Sequence, residues 1–176
     1  MLLDTLPGTG GAVPHFSQVN WYFESSSSHG PRIVVVNGVR CVVGYGCPGT
    51  PHTMERNNCL IDSLRQCLGI RCDRTLVRQD LLEQFGAAVG SARVTPTNFL
   101  DVKEHGRAIV ASLLRHQEGT VPVPQDYCII ALHVSRDGSA DHGFVVGNLR
   151  AAQTFIVLNK ANMHFDPCLP QRVDDL

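Results

Sequence analysis

Cys59 lies in the run Arg56-Asn57-Asn58-Cys59-Leu60-Ile61-Asp62-Ser63-Leu64, where an amphipathic helix begins. A helix N-terminus carries partial positive charge and unsatisfied N–H groups. Both favour a thiolate over a thiol and would stabilise the oxyanion of an acyl-transfer intermediate. Taken alone, a cysteine there is more simply a small buried residue, because free cysteine is among the most buried residue types. A nucleophile also needs an imidazole to hold its proton and, as a rule, a third group to orient that imidazole.

The chain offers eight histidines. His15, His29 and His52 fall in loops ahead of the helix, His105 and His116 in a helical segment, and His133 inside a strand. His164 and His142 remain. His164 follows an apolar strand and has Asp166 two residues on. In an extended chain the period of two puts both side chains on one face, so Asp166 can accept from the His164 ring and fix its tautomer. His142 follows Asp141 and opens the run Gly143-Phe144-Val145-Val146-Gly147, with Asn159 or Asp166 downstream to orient it.

The elements that must hold these residues can be read from periodicity. Leu60, Ile61, Leu64 and Leu68 share one helix face over about 58–68, with Asn57 or Asn58 as N-cap and Gly69 as stop. A second helix covers about 74–85, with Leu76, Val77, Leu81 and Phe85 on one side. A third is expected from Thr95-Pro96 towards His116, with Gly106 a point where it could split. Ahead of them, Ile33–Val36 and Val39–Val43 flank Asn37-Gly38, the preferred type I′ turn dipeptide. After them come strands at Cys128–Val134, Gly143–Gly147 and Thr154–Leu158. Hairpin, helices and then antiparallel strands make an α+β chain: a helical lobe packed on an antiparallel β-sheet. Residues 1–30, rich in Gly, Pro and Ser, read as a loosely ordered leader, and 31–176 as the catalytic domain. Gly8-Thr9-Gly10-Gly11 lacks the context of a phosphate loop.

Composition narrows the function classes. Hydrophobic residues make up 43% and charged residues 18%, a soluble globular profile. A net charge of −1 with no basic cluster gives no nucleic-acid surface. No stretch approaches a transmembrane helix, and no export signal is read at the N-terminus. The seven cysteines show no Cys-x-x-Cys pair, so neither a zinc site nor any cofactor is expected. Reduced thiols in a cytosolic compartment fit that count better than disulfides.

Asn58-Cys59-Leu60 leading into a helix, and Phe155-Ile156-Val157-Leu158 followed by His164-Phe165-Asp166, resemble the ovarian tumour (OTU) family of cysteine deubiquitinases. That family shows Asp-Gly-Asn-Cys-(Leu/Phe) at the nucleophile and His-(Tyr/Phe)-(Asp/Asn) at the base. Chain order and separation suit a compact member of the kind found in viral and bacterial pathogens. The resemblance implies a papain-like/OTU-like cysteine protease fold, a monomer acting on ubiquitin or polyubiquitin in the cytosol, or as an effector in a host cytosol. It also implies Cys59 as nucleophile, His164 as base and Asp166 as orienter, with an oxyanion hole from the N–H groups of Asn57, Asn58 and Cys59. Arg56-Asn57 stands where the family has Asp-Gly, which removes one orienting acid and shifts weight to Asp166. Asn57 can replace the glycine because Asn best tolerates left-handed φ.

A second resemblance runs from Asp141-His142-Gly143 to Leu158-Asn159. It is similar to the His and Asn region of papain-like proteases and papain-fold toxins. This implies a protease or glutamine deamidase using Cys59 with His142 and Asn159 or Asp166. A third reading is a catalytically inactive ubiquitin-binding module.

Overall fold

Asn37 and Gly38 take positive φ values of 47° and 83°, which closes a two-residue turn between β2 (Ile33–Val36) and β3 (Val39–Val43). This is the geometry a type I′ turn demands, and few residues other than Asn and Gly adopt it cheaply. The structure, a computed structural model, describes residues 19–24, 32–50, 55–161 and 163–171. A short strand β1 (Trp21–Phe23) adds to the hairpin through β2, so the sheet reaches into the segment that reads as a leader. The Gly8–Gly11 run and His15, His29 and His52 lie outside the described residues.

Three helices follow. Helix α1 (Cys59–Leu68) ends at Gly69, whose φ of 68° lets Gly69 and Ile70 return their N–H groups to the last carbonyls of the helix. Helix α2 (Arg74–Phe85) starts at Asp73, whose carboxylate accepts the Thr75 N–H. Helix α3 (Val102–Arg115) starts later than Thr95-Pro96 and is continuous through Gly106. Thr95 instead caps a turn, accepting the Asn98 N–H, and the helix N-cap is Asp101, which accepts from Glu104. On α2, Leu76 faces solvent while Val77 and Leu81 are buried.

Four strands complete the sheet: β4 (Tyr127–Val134), β5 (Ala140–Val146), β6 (Gln153–Asn159) and β7 (Phe165–Pro170). The sheet order is β1-β2-β3-β7-β6-β4-β5. It is mixed rather than antiparallel, because β6 pairs with β4 in parallel while β5 occupies the other side of β4. The chain must therefore pass over the start of β4 between β5 and β6. Gly147 makes that crossing, with φ 102° and a position where a Cβ would stand 3.1 Å from the Tyr127 carbonyl oxygen. The strand Phe165–Pro170 carries Pro167 and Cys168, and no alternation announces it.

Both faces of the sheet are covered. Leu60, Ile61 and Leu64 of α1 pack with helix α3 and with Ile129, Ala131, Val157 and Phe165 on one face. Trp21, Val34, Val36, Ile130, Leu132, Ile156 and Leu158 fill the other. That two-sided burial explains why β4 and β6 read as unbroken apolar runs. Leu60, Ile61 and Leu64 are fully buried, each contributing about 1.5–3 kcal/mol of burial. They hold α1 across β6 and β7, with Cys59 at its leading end.

Candidate active site

Cys59 is the first residue of α1 and is 3% exposed. Its Sγ lies against the backbone on both sides of His164: 3.9 Å from the Met163 carbonyl oxygen and 3.4 Å from the Phe165 N, which donates to it. Ser63, one turn along α1, donates to the Phe165 carbonyl at 3.1 Å and pins the two segments together. The His164 Nε2 is 2.7 Å from Asp166 Oδ1, and the Tyr45 ring stacks on the imidazole at 5.5 Å. In the tautomer with Nε2 donating to the carboxylate, Nδ1 is the basic nitrogen of the ring.

Asp166 is 3% exposed and well satisfied. Oδ1 also accepts from the Gly46 N–H at 3.0 Å, and Oδ2 pairs with Lys160 Nζ at 3.0 Å. Burial raises its pKa, but the hydrogen bonds from Gly46, Lys160 and His164 outweigh that and hold it below the usual carboxylate range. The Cys59 thiol is pushed up, chiefly by burial. Hydrogen bonds from the Phe165, Leu60 and Cys59 N–H groups work the other way, and the Asp166 charge adds to the rise.

The loop before the helix is set by Asn57, whose φ is 57°. The Arg56 and Asn57 carbonyls both point at the Arg78 guanidinium, at 3.2 and 3.0 Å. Because peptide units are planar and trans, the Asn57 N–H is turned to the opposite side. The Asn58 N–H donates to the Pro48 carbonyl at 3.0 Å, so it is not a donor for an oxyanion. Asn58 is the N-cap residue, yet its side chain makes no cap bond and meets Arg78 instead. The N–H groups of Asn57 and Cys59 are what this loop can offer to a developing negative charge.

The alternative partners are arranged differently. His142 is on β5, three strands from β7 and hence roughly 14 Å across the sheet. It is exposed, stacks on His133 at 4.6 Å and sits 3.4 Å from Asp141. Asn159 ends β6 in register with Phe165 on one side and His133 on the other. The structure thus brings the backbone on both sides of His164 against Cys59 Sγ, pairs the His164 ring with Asp166, and leaves His142 on the far edge.

Several residues that build this site carry no sequence signal. Asp62, 3% exposed, accepts from the Cys47 N–H and from Arg65, Gln66 and Arg74. It ties the loop before Cys59 to α1. Gly46 is packed so closely that a methyl group there would overlap the Phe165 carbonyl and Ser63 Oγ. Met163, with φ 62°, turns the chain into His164. Among the described residues no group of His, Cys, Asp and Glu is arranged to hold a metal. No helix among them is long and apolar enough to cross a membrane.

No protein-family model and no curated protein matches the chain. Among solved structures the chain is similar to the Hazara virus OTU bound to ubiquitin. That match has 12% identity and a TM-score of 0.47, and covers 89% of this chain and 98% of the other.

Proposed function

We propose that this chain is a cysteine hydrolase of OTU type that cleaves the isopeptide bond after a ubiquitin C-terminus. The observation that supports the chemistry is that Cys59 Sγ lies against the Met163 carbonyl and the Phe165 N–H, the two backbone groups flanking His164, while the His164 ring is held by Asp166 at 2.7 Å. The substrate rests on the motif resemblance at Asn58-Cys59-Leu60 and His164-Phe165-Asp166. All seven cysteines are free thiols, which suits work in a reducing compartment.

His164 Nδ1 takes the Cys59 proton as Sγ attacks the carbonyl carbon, and a C–S bond forms. The oxyanion is met by the Asn57 and Cys59 N–H groups, each such donor being worth about 3–4 kcal/mol in well-studied hydrolases. As the tetrahedral state collapses, the C–N bond breaks and the leaving amine receives the proton from His164. Water, deprotonated by the same imidazole, then hydrolyses the thioester. Throughout, Asp166 stays anionic and stabilises the imidazolium.

A ubiquitin probe with an electrophilic C-terminus tests the reading. Covalent capture at Cys59, lost in Cys59→Ala, supports it. Absence of capture, with glutamine deamidation observed instead, overturns the substrate while keeping the nucleophile. Retained binding with no reaction at any substrate points to the inactive module.

A further inference from the structure

Arg78 is 5% exposed, and the acceptors of its guanidinium among the described residues are all uncharged. Nε donates to Asn58 Oδ1 at 2.9 Å, and Nη2 to the Arg56 and Asn57 carbonyls at 3.2 and 3.0 Å. Nη1 donates to the Thr95 carbonyl at 3.3 Å and to the Asn98 carbonyl and Oδ1 at 3.0 and 3.3 Å. A buried cation is ordinarily paired with a carboxylate, since desolvation makes a lone charge costly. Here the cost is met by oxygens of two loops, 56–58, which leads into the nucleophile, and 95–98.

We propose that Arg78 is the positioning residue of this site: it anchors the carbonyl edge of the 56–58 loop so that the Asn57 N–H on the opposite edge faces the reacting carbonyl, and its unneutralised charge favours the anionic states at Cys59. This rests on the cysteine-hydrolase reading and deepens it. Burial lowers Arg78 to about 10 and the charge on Cys59 raises it, so the guanidinium stays ionised at neutral pH. Asp166, on β7, also bears on Cys59 and acts against the thiolate. Lys160 is engaged with Asp166. Arg78 is therefore a buried positive charge under the loop that leads into Cys59, with no carboxylate among its described acceptors.

The sequence could not announce this. Arg78 falls one residue after Val77 on α2, where an arginine reads as a solvated side chain, and its partners lie about twenty residues away in both directions. The planar five-donor fork explains why arginine is used, because a lysine ammonium has three donors at one point and cannot span both loops.

The test follows Cys59 alkylation by iodoacetamide against pH, read by peptide mass spectrometry because other cysteines are present, together with kcat and KM on a ubiquitin substrate. In Arg78→Gln the alkylation midpoint rises by about one unit and kcat falls about 10²-fold with KM little changed. Arg78→Lys keeps the midpoint but loses about tenfold in kcat, because charge survives and anchoring does not. Asp73→Ala, which removes the N-cap of the same helix, lowers Tm without moving the midpoint. A wild-type midpoint in folded Arg78→Gln overturns the proposal, and so does an unchanged kcat in Arg78→Lys, which decides the matter if Arg78→Gln does not fold. Alkylation needs no substrate. A midpoint that moves in a chain that cleaves no ubiquitin substrate sinks the substrate assignment and supports the role of Arg78.

Discussion

Replacing Asp166 by Ala and by Asn separates its orienting role from its charge. In Asp166→Ala the Gly46 N–H, which donates to Oδ1 at 3.0 Å, loses its acceptor in a buried place, costing about 1–3 kcal/mol. The Lys160 pair adds only about 0–1 kcal/mol, since that lysine side chain is 38% exposed and turns to water. The expected loss of stability is about 1–4 kcal/mol. Asn keeps an oxygen at the Oδ1 position, and the Gly46 and His164 donors converging there fix which way the amide points. Relief of the buried charge offsets part of the lost charge-assisted bonding, so Asp166→Asn should cost about 1 kcal/mol. The folded pKa of Asp166 is depressed, so the stability it adds over Asn is fully present above the unfolded value of about 3.9 and is lost as pH falls through the folded value. For activity, Asp166→Ala should lower kcat by about 10²–10⁴, whereas Asp166→Asn should stay within about tenfold, as Cys-His-Asn sites function elsewhere. Denaturant unfolding between pH 2 and 7 and steady-state kinetics read both. Equal kcat for the Ala and Asn variants would refute the orienting argument.

Gly46→Ala should lower stability by about 2–3 kcal/mol and reduce kcat, because the new methyl must displace the loop that donates to Asp166; a wild-type Tm would contradict the packing. His164→Ala should abolish thioester formation while His142→Ala leaves kcat within about threefold, given its distance from Cys59 across the sheet; burst-phase kinetics distinguish them, and the reverse pattern would install His142 as the base. Asp80 accepts from Ser112 at 2.6 Å and pairs with His116 at 2.9 Å, linking α2 to α3, and the Ser112 hydroxyl is the first cause of its lowered pKa. Asp80→Asn should cost about 1–2 kcal/mol above the unfolded carboxylate pKa, the difference closing as pH falls through the folded one. Urea midpoints at pH 7 and pH 2.5 measure that, and a pH-independent gap would count against it.

The pieces of this site that could be read from sequence are those with a local signature. A helix start is local, so Cys59 at the head of Leu60, Ile61 and Leu64 was legible. The two-residue step from His164 to Asp166 is local as well, and those side chains are in contact. Asn57 takes the left-handed φ that the absent glycine would supply, as the chemistry of Asn allows. Pairings between distant segments were not legible. The parallel β4–β6 ladder depends on which side of β4 receives β6, and β7 lacks alternation because Phe165, Asp166, Pro167 and Cys168 are all buried. Helix α3 starts after Thr95-Pro96 because the helix-start signature there is used in a turn closed by Asn98. Asp62 and Arg78 gave no signal, since their roles exist only once α1, α2 and the loops have met.

Those two ions explain how a loop of ordinary residues is made to present a defined edge. Asp62 is an acceptor and engages an N–H, that of Cys47, on the loop that reaches Asp166 through Gly46. Arg78 is a donor and engages carbonyls, those of Arg56 and Asn57, on the loop that leads into Cys59. In a planar peptide the edge that is engaged determines the edge that is left. A buried anion beneath the 56–58 loop would call its N–H groups inward and leave carbonyls facing the reacting centre, where they would repel an oxyanion. A buried cation does the opposite. The sign of the charge under each loop is thus a constraint set by the chemistry above it, which is why Arg78 stands among neutral oxygens: a carboxylate partner would compete for the same donors and release the loop.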